Sequence, residues 1–267
     1  MTDPPARLSR HTARPTLWRA VCALMLREMA TSHGRVPGGY LWAVAEPLFG
    51  IALLSAIFAI GFQAPSLGTS FPLFYATGLL PFLAFSDITN KLAQALTFSR
   101  PLFAYPAVGV MDAILARFLL AAGTQIAVAA LLLGGILFLS ETRATPDIAT
   151  LAQAAGCLMV LSLGTGMLNC LLIGLLPLWQ RIWAIAMRPM FLISGVFFVF
   201  EAVPLPWRDL LGWNPLIHIV GLVRRGLYPG YDAGYVSVPY VLALGLGAAL
   251  LAGIGLLRWH RDILSDL

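Results

Sequence analysis

The sequence predicts an all-α integral membrane protein with six transmembrane helices, an N-terminal amphipathic interface helix and a re-entrant periplasmic helical hairpin before the last span. Three observations carry that reading. Of 267 residues, 59% are hydrophobic and 11% are charged, less than half the charged share of about 25% usual in soluble domains. The apolar residues gather in long runs, and six spans of roughly 20 residues each fit within them. The basic residues are also unequally divided between the two sides those runs define. Lys91 is the single lysine beside sixteen arginines, so the Lys-rich tail of a nucleic-acid binder is absent and no nucleic-acid partner is expected.

The chain divides into a cytoplasmic amino-terminal segment over 1–39, a six-helix membrane domain over 40–257 and a cytoplasmic tail over 258–267. Within the first segment, a helix from Thr16 to Ser32 places Trp18, Val21, Cys22, Met25 and Met29 on one side and Arg27 opposite. That pattern suits a helix lying in the membrane interface, and a helix packed on a partner has the same wheel. Apolar runs follow over about 40–62 and 71–88, with Pro65, Gly68 and Pro72 punctuating the gap. Runs over about 113–139 and 150–176 exceed the hydrocarbon thickness, so tilt or protrusion is expected. A fifth covers about 183–200, up to Glu201, and a sixth about 236–257. The first run begins only after six arginines, so it reads as a retained span rather than a cleaved leader.

Counted by alternate sides, thirteen Lys and Arg residues share the side of the termini and four lie opposite. The positive-inside rule therefore puts both termini in the cytoplasm. The unbroken runs exclude the alternating pattern of a membrane β-barrel, leaving helices.

Two connections are more than tethers. The segment 201–235 mixes Trp207, Leu210, Leu211, Trp213, Ile217 and Ile219 with Pro204, Pro206, Pro215 and Pro229. It is too apolar for water and too broken to cross once, which predicts two short helices dipping into the outer leaflet and returning. Asn214-Pro215 marks the start of the second, and Arg224 and Arg225 its end. A surface hairpin with aromatic anchors uses the same residues. The connection from Lys91 to Asp112 carries Arg100, Pro101, Phe103, Tyr105 and Pro106, suited to docking on another protein, or to an ordinary membrane interface. Glu46 and Arg117, the latter near Asp112, lie inside apolar runs. Such charges cost about 2.5–3.5 kcal/mol at a bilayer centre, so each faces protein or water, in a salt bridge or at a substrate.

Enzyme chemistry finds no support. Ser194 in Leu192-Ile193-Ser194-Gly195 lacks the glycine of a Gly-x-Ser-Gly turn, and His11, His33, His218 and His260 are scattered without a metal-binding pair. His218 reads as structural, and Cys22, Cys157 and Cys170 as packing residues. A Walker A loop needs a lysine after glycine, whereas Lys91 follows Asn90. Any ATP-driven work must come from a separate subunit.

The order of Leu26-Arg27-Glu28, Gly38-Gly39-Tyr40-Leu41-Trp42, Glu46-Pro47, Phe74 to Pro81, Pro101 to Pro106 and Asn214-Pro215-Leu216 through His218, Arg224 and Tyr228 resembles the membrane (permease) subunits of ABC-2 type polysaccharide exporters, specifically the capsular polysaccharide export family. Pro37 departs from the family, which usually runs on there without a proline.

The resemblance implies a homodimer in the bacterial inner membrane, each subunit docked on a cytoplasmic ABC ATPase that binds ATP and Mg, with no cofactor on this chain. The cargo would be a lipid-linked polysaccharide moved from cytoplasm to periplasm. A periplasmic polysaccharide co-polymerase or export adaptor is a further partner, and membrane lipid surrounds the whole. The segment 91–106, with Lys91, Arg100, Pro101, Phe103 and Tyr105, would couple to the ATPase. Arg35, Trp42 and Glu46 would form the entrance, Arg35 meeting a lipid-linked phosphate. Phe197, Phe198, Trp207 and Trp213 would offer stacking surfaces, and Arg224 and Arg225 would draw an acidic polymer at the exit. Lipid-facing packing and helix capping account for the same residues. An exporter of O-antigen on polyprenyl diphosphate shares the plan. A proton-coupled secondary transporter would instead need Glu46, Asp112 and Arg117 as a relay near the midplane, yet these cluster toward one end without an inverted repeat.

Overall fold

The computed structural model describes residues 17–32, 39–103, 109–139 and 146–266. Among these there is no strand. The apolar runs are helical because lipid supplies no hydrogen-bond partner and a helix satisfies its backbone internally. In chain order the helices are α1 (Leu17–Ser32), α2 (Gly39–Gly61), α3 (Phe71–Ala93), α4 (Ala95–Ser99), α5 (Val110–Leu139), α6 (Ile148–Leu175), α7 (Trp179–Ile193), α8 (Trp207–Leu211), α9 (Pro215–Leu227) and α10 (Val238–Asp266). Three starts are capped by local side chains: Ser70 accepts from the Leu73 amide, Asp147 from those of Ala149 and Thr150, and Asn214 from that of Leu216. Pro215 follows its cap at the first helical position, where its missing N–H costs nothing.

Five helices, α2, α3, α5, α6 and α10, are long and apolar enough to cross a membrane. The run over 183–200 does not form the continuous span expected of it. Its helix, α7, has 15 residues, about 22 Å at 1.5 Å per residue, short of a hydrocarbon core of about 30 Å. The chain turns at Gly195, where φ is +80°, and α3 crowds the next residue: a Cβ on Gly78 would lie 2.8 Å from Val196 Cα. Of the remaining apolar residues, Val196, Val199 and Phe200 are buried in that turn instead. Two short helices, α8 and α9, then occupy the segment before α10.

α3 is the axis of the bundle. Sixteen of its 23 residues are buried, against eight of 30 in α5, and α2 carries mostly exposed residues. α10 lies along α6 because both carry glycine at the crossing: a Cβ on Gly164 would collide with the carbonyl oxygen of Gly245. Small residues bring helix backbones close where lipid gives apolar side chains no driving force to associate. α1 seats on α5 with Val21 fully buried, but Trp18, Cys22 and Met29 face outward and Glu28 turns in. Of the apolar set, Val21 therefore packs inward while Trp18, Cys22 and Met29 stay at the surface. By alternation of the spans, α2 and α5 start, and α3, α6 and α10 finish, at the end of the bundle that holds α1; α8 and α9 lie at the far end.

Candidate functional site

At the α1 end a polar pocket of about 220 Å³ opens between α2, α3 and α5. Glu46, Ser86, Asp87, Asn90, Lys91 and Gln125 line it, over Ala43, Pro47 and Leu83. The four α3 residues meet on one face because positions three and four apart are neighbours on a helix. Lys91 Nζ and Gln125 Nε2 each donate to Asp87 Oδ2 at 2.8 Å. Glu46 is exposed at the pocket. With Glu46 and Asp87 against Lys91, the formal charge is −1, which suits hydroxyl donors or a cationic group better than a bare phosphate. Of the three residues placed at an entrance, Glu46 lines the pocket, Trp42 lies one turn earlier and is 60% exposed, and Arg35 lies outside the described residues. Sequence reasoning overlooks Ser86, Asp87, Asn90 and Gln125. The available signal was the polar quartet 86, 87, 90 and 91 at the end of an apolar run.

Arg117 does not pair with Asp112. The Gly109 amide donates to Asp112 Oδ2 at 2.9 Å, at the start of α5. Arg117 Nε donates to Glu28 Oε1 at 2.7 Å and Nη1 to the Lys91 carbonyl at 3.0 Å, while its guanidinium lies 4.2 Å from the centre of the Phe98 ring. Its salt-bridge reading therefore applies, with a partner from α1. Asp112 and Arg117 take different partners and Glu46 lines the polar pocket, so none of the three is hydrogen-bonded to another as a relay requires.

The expected coupling segment comprises the last turn of α3, α4 and a 3₁₀ turn over Arg100–Leu102. Ala95, Leu96 and Ser99 anchor it in the core, leaving Thr97, Phe98, Arg100 and Pro101 exposed and Phe103 half-buried. Lys91 belongs to the pocket through Asp87 rather than to this outer face. Tyr105 lies outside the described residues.

At the far end Arg224 departs from its expected place. It is 1% exposed, with Nη1 donating to the Phe198 carbonyl and Nη2 to that of Gly195, both at 2.7 Å, and Nε to Thr77 Oγ1 at 3.4 Å. The guanidinium lies over Phe74. It closes the turn after α7 and is not presented at an exit, whereas Arg225 is exposed. Phe197 packs between Phe58 and Phe191 and Phe198 is half-buried, so neither ring is a free platform. Trp207 and Trp213 are exposed. His218 is structural: the Ser237 amide donates to Nδ1 at 3.2 Å, which leaves Nε2–H to donate to the Gly212 carbonyl at 2.9 Å. Nearby, Tyr231 donates to Glu201; burial first, then Tyr235 and Glu201, push its phenol well above its usual range.

The profile of the ABC-2 type transporter family matches residues 19–228. The chain belongs to the ABC-2 type transporter family. It is 33% identical over 240 residues to the polysialic acid transport protein KpsM of Escherichia coli, covering 90% of this chain and 93% of that protein. It is 25% identical over 245 residues to the capsule polysaccharide export inner-membrane protein BexB of Haemophilus influenzae, covering 90% of each. It is 24% identical over 247 residues to the capsule polysaccharide export inner-membrane protein CtrC of Neisseria meningitidis, covering 92% of each. As an ABC-2 membrane subunit the chain is the multi-pass transmembrane part of an exporter. The matched residues include α1 from its third residue on, the polar pocket, α4 and Arg224.

Proposed function

We propose that this ABC-2 subunit forms, as a homodimer on two cytoplasmic ATPase subunits, the channel that moves lipid-linked capsular polysaccharide out of the cytoplasm. The observation that carries this reading is the likeness to KpsM over nine tenths of both chains; the capsule exporters named with it favour capsule over O-antigen. Both termini and α4 face the cytoplasm, in keeping with the basic excess on that side. α7 with α8 and α9 completes the sixth crossing, the short helices entering the outer leaflet and returning, so that protein shelters the broken backbone. ATP and Mg bind to the partner, and this chain contributes mechanical coupling through α4, Arg100, Pro101, Phe103 and Tyr105.

The polar pocket sits where such a cargo enters. Glu46 and Asp87 accept sugar hydroxyls, Trp42 offers a stacking face, and Arg35 supplies the charge for the lipid-linked phosphate that the pocket itself does not favour. At the far end Trp207, Trp213 and Arg225 meet the emerging polymer or a periplasmic adaptor. Co-purification with a cassette ATPase whose hydrolysis rises in the complex, together with loss of surface polysaccharide on removing this chain, tests the reading; export that persists without any such ATPase overturns it. Arg35→Ala is expected to cut surface polysaccharide while the ATPase still co-purifies. Unchanged export would remove Arg35 from the entrance.

A further inference from the structure

Four elements converge on one guanidinium. Arg117, on α5, is 8% exposed. It donates to the Glu28 carboxylate of α1 and to the Lys91 carbonyl in the last turn of α3, and it covers the Phe98 ring of α4. The space left between Leu24, Glu28, Phe98, Ser99, Ala113 and Arg117 is about 10 Å³, on the order of a single water. A cluster packed this closely has no slack to absorb a shift of one member, so displacement of α4 is passed to its neighbours. The contact is also directional. An apolar seam would let α1 slide over α5, whereas a charge-assisted hydrogen bond at 2.7 Å fixes the register of the two helices.

We infer that Arg117, with Glu28, is a positioning residue for energy coupling: it yokes α1 to α4, so that motion imposed on α4 carries the interface helix and the start of α5 as one body. This rests on the reading of α4 as the ATPase contact. Under it, the pocket wall moves with the yoke, because the Arg117 partner Lys91 also holds Asp87 in that pocket.

Two experiments on the full complex test the yoke. In the first, Glu28→Met and Arg117→Met are combined, so that neither charge is left buried and unpaired. ATPase binding and hydrolysis are expected to survive, while surface carbohydrate produced per ATP hydrolysed falls roughly 5-fold or more. An unchanged ratio overturns the inference. The second does not depend on that variant folding. In a Cys22→Ser background, Leu24→Cys and Ser99→Cys are joined by a short bifunctional crosslinker. If α1 and α4 move as one body, the joined complex exports as well as the unjoined one; if joining stops export, they move relative to each other and the inference fails. Crosslinking of Thr97→Cys to the ATPase keeps the two readings apart, since its absence would sink the docking reading rather than the yoke.

Discussion

Arg224 shows what a single buried cation does when it meets no carboxylate. Its charge is spread over two carbonyls, a hydroxyl and the face of Phe74, and those bonds hold the turn that ends α7. Replacing it by Leu leaves the Gly195 and Phe198 carbonyls without donors, which is expected to cost about 1.5–3 kcal/mol, measured as a lower thermal midpoint of the purified protein. Arg224→Lys should recover only part, because a compact ammonium lacks the planar fork that aims separate N–H groups at the two carbonyls while its face covers Phe74. Asp147 makes a pH-dependent contribution of the opposite kind. Hydrogen bonds from Thr150, side chain first and then backbone, hold its carboxyl below the ordinary carboxylate range. The capped state therefore has its full advantage above the ordinary carboxylate pKa and loses it as pH falls through the lowered one. The difference in thermal midpoint between the wild type and Asp147→Ala should accordingly be present at neutral pH and vanish in strong acid. A difference that persists there would show that the cap does not act through its charge.

Helix contacts in this molecule divide into close and loose ones. α6 and α10 approach at Gly164 and Gly245, where a side chain on either residue meets backbone, including Val160 O at 2.8 Å from a Cβ on Gly245. Gly253, on the same α10, has nothing within 4 Å of its Cβ position. The same substitution should therefore have opposite signs. Gly164→Ala overpacks the crossing and costs about 1–3 kcal/mol, while Gly253→Ala gains up to about 1 kcal/mol from helix propensity; thermal unfolding of the two variants checks this. α7 is the loose case, with Met187 its one buried residue. Its Ile182, Ile185 and Leu192 are exposed, an apolar face that does not pack within the chain.

For the whole molecule, the arrangement makes one all-or-none prediction. Pro101→Cys, beside α4, should react with a membrane-impermeant maleimide only when the cytoplasmic face is open, and Asp232→Cys, beyond α9, only from outside. Reaction of both from one side would overturn the topology and, with it, the docking of α4 on an ATPase.

Much of this organisation was legible in the chain. The apolar runs over 40–62, 71–88, 113–139, 150–176 and 236–257 fall within a few residues of α2, α3, α5, α6 and the apolar part of α10, and Asn214-Pro215 opens α9. Span positions are readable because a lipid environment acts on local composition: a long enough apolar stretch must close its own hydrogen bonds wherever it sits in the fold. The end of α7, the partner of Arg117, the enclosure of Arg224 and the polar pocket were not readable in the same way. Each depends on residues far apart in sequence, such as Glu28 with Arg117 or Asp87 with Gln125, and a charge in an apolar run signals only that some partner must exist. Which partner it finds, and whether that charge faces a cargo or a neighbouring helix, is decided by how the helices pack.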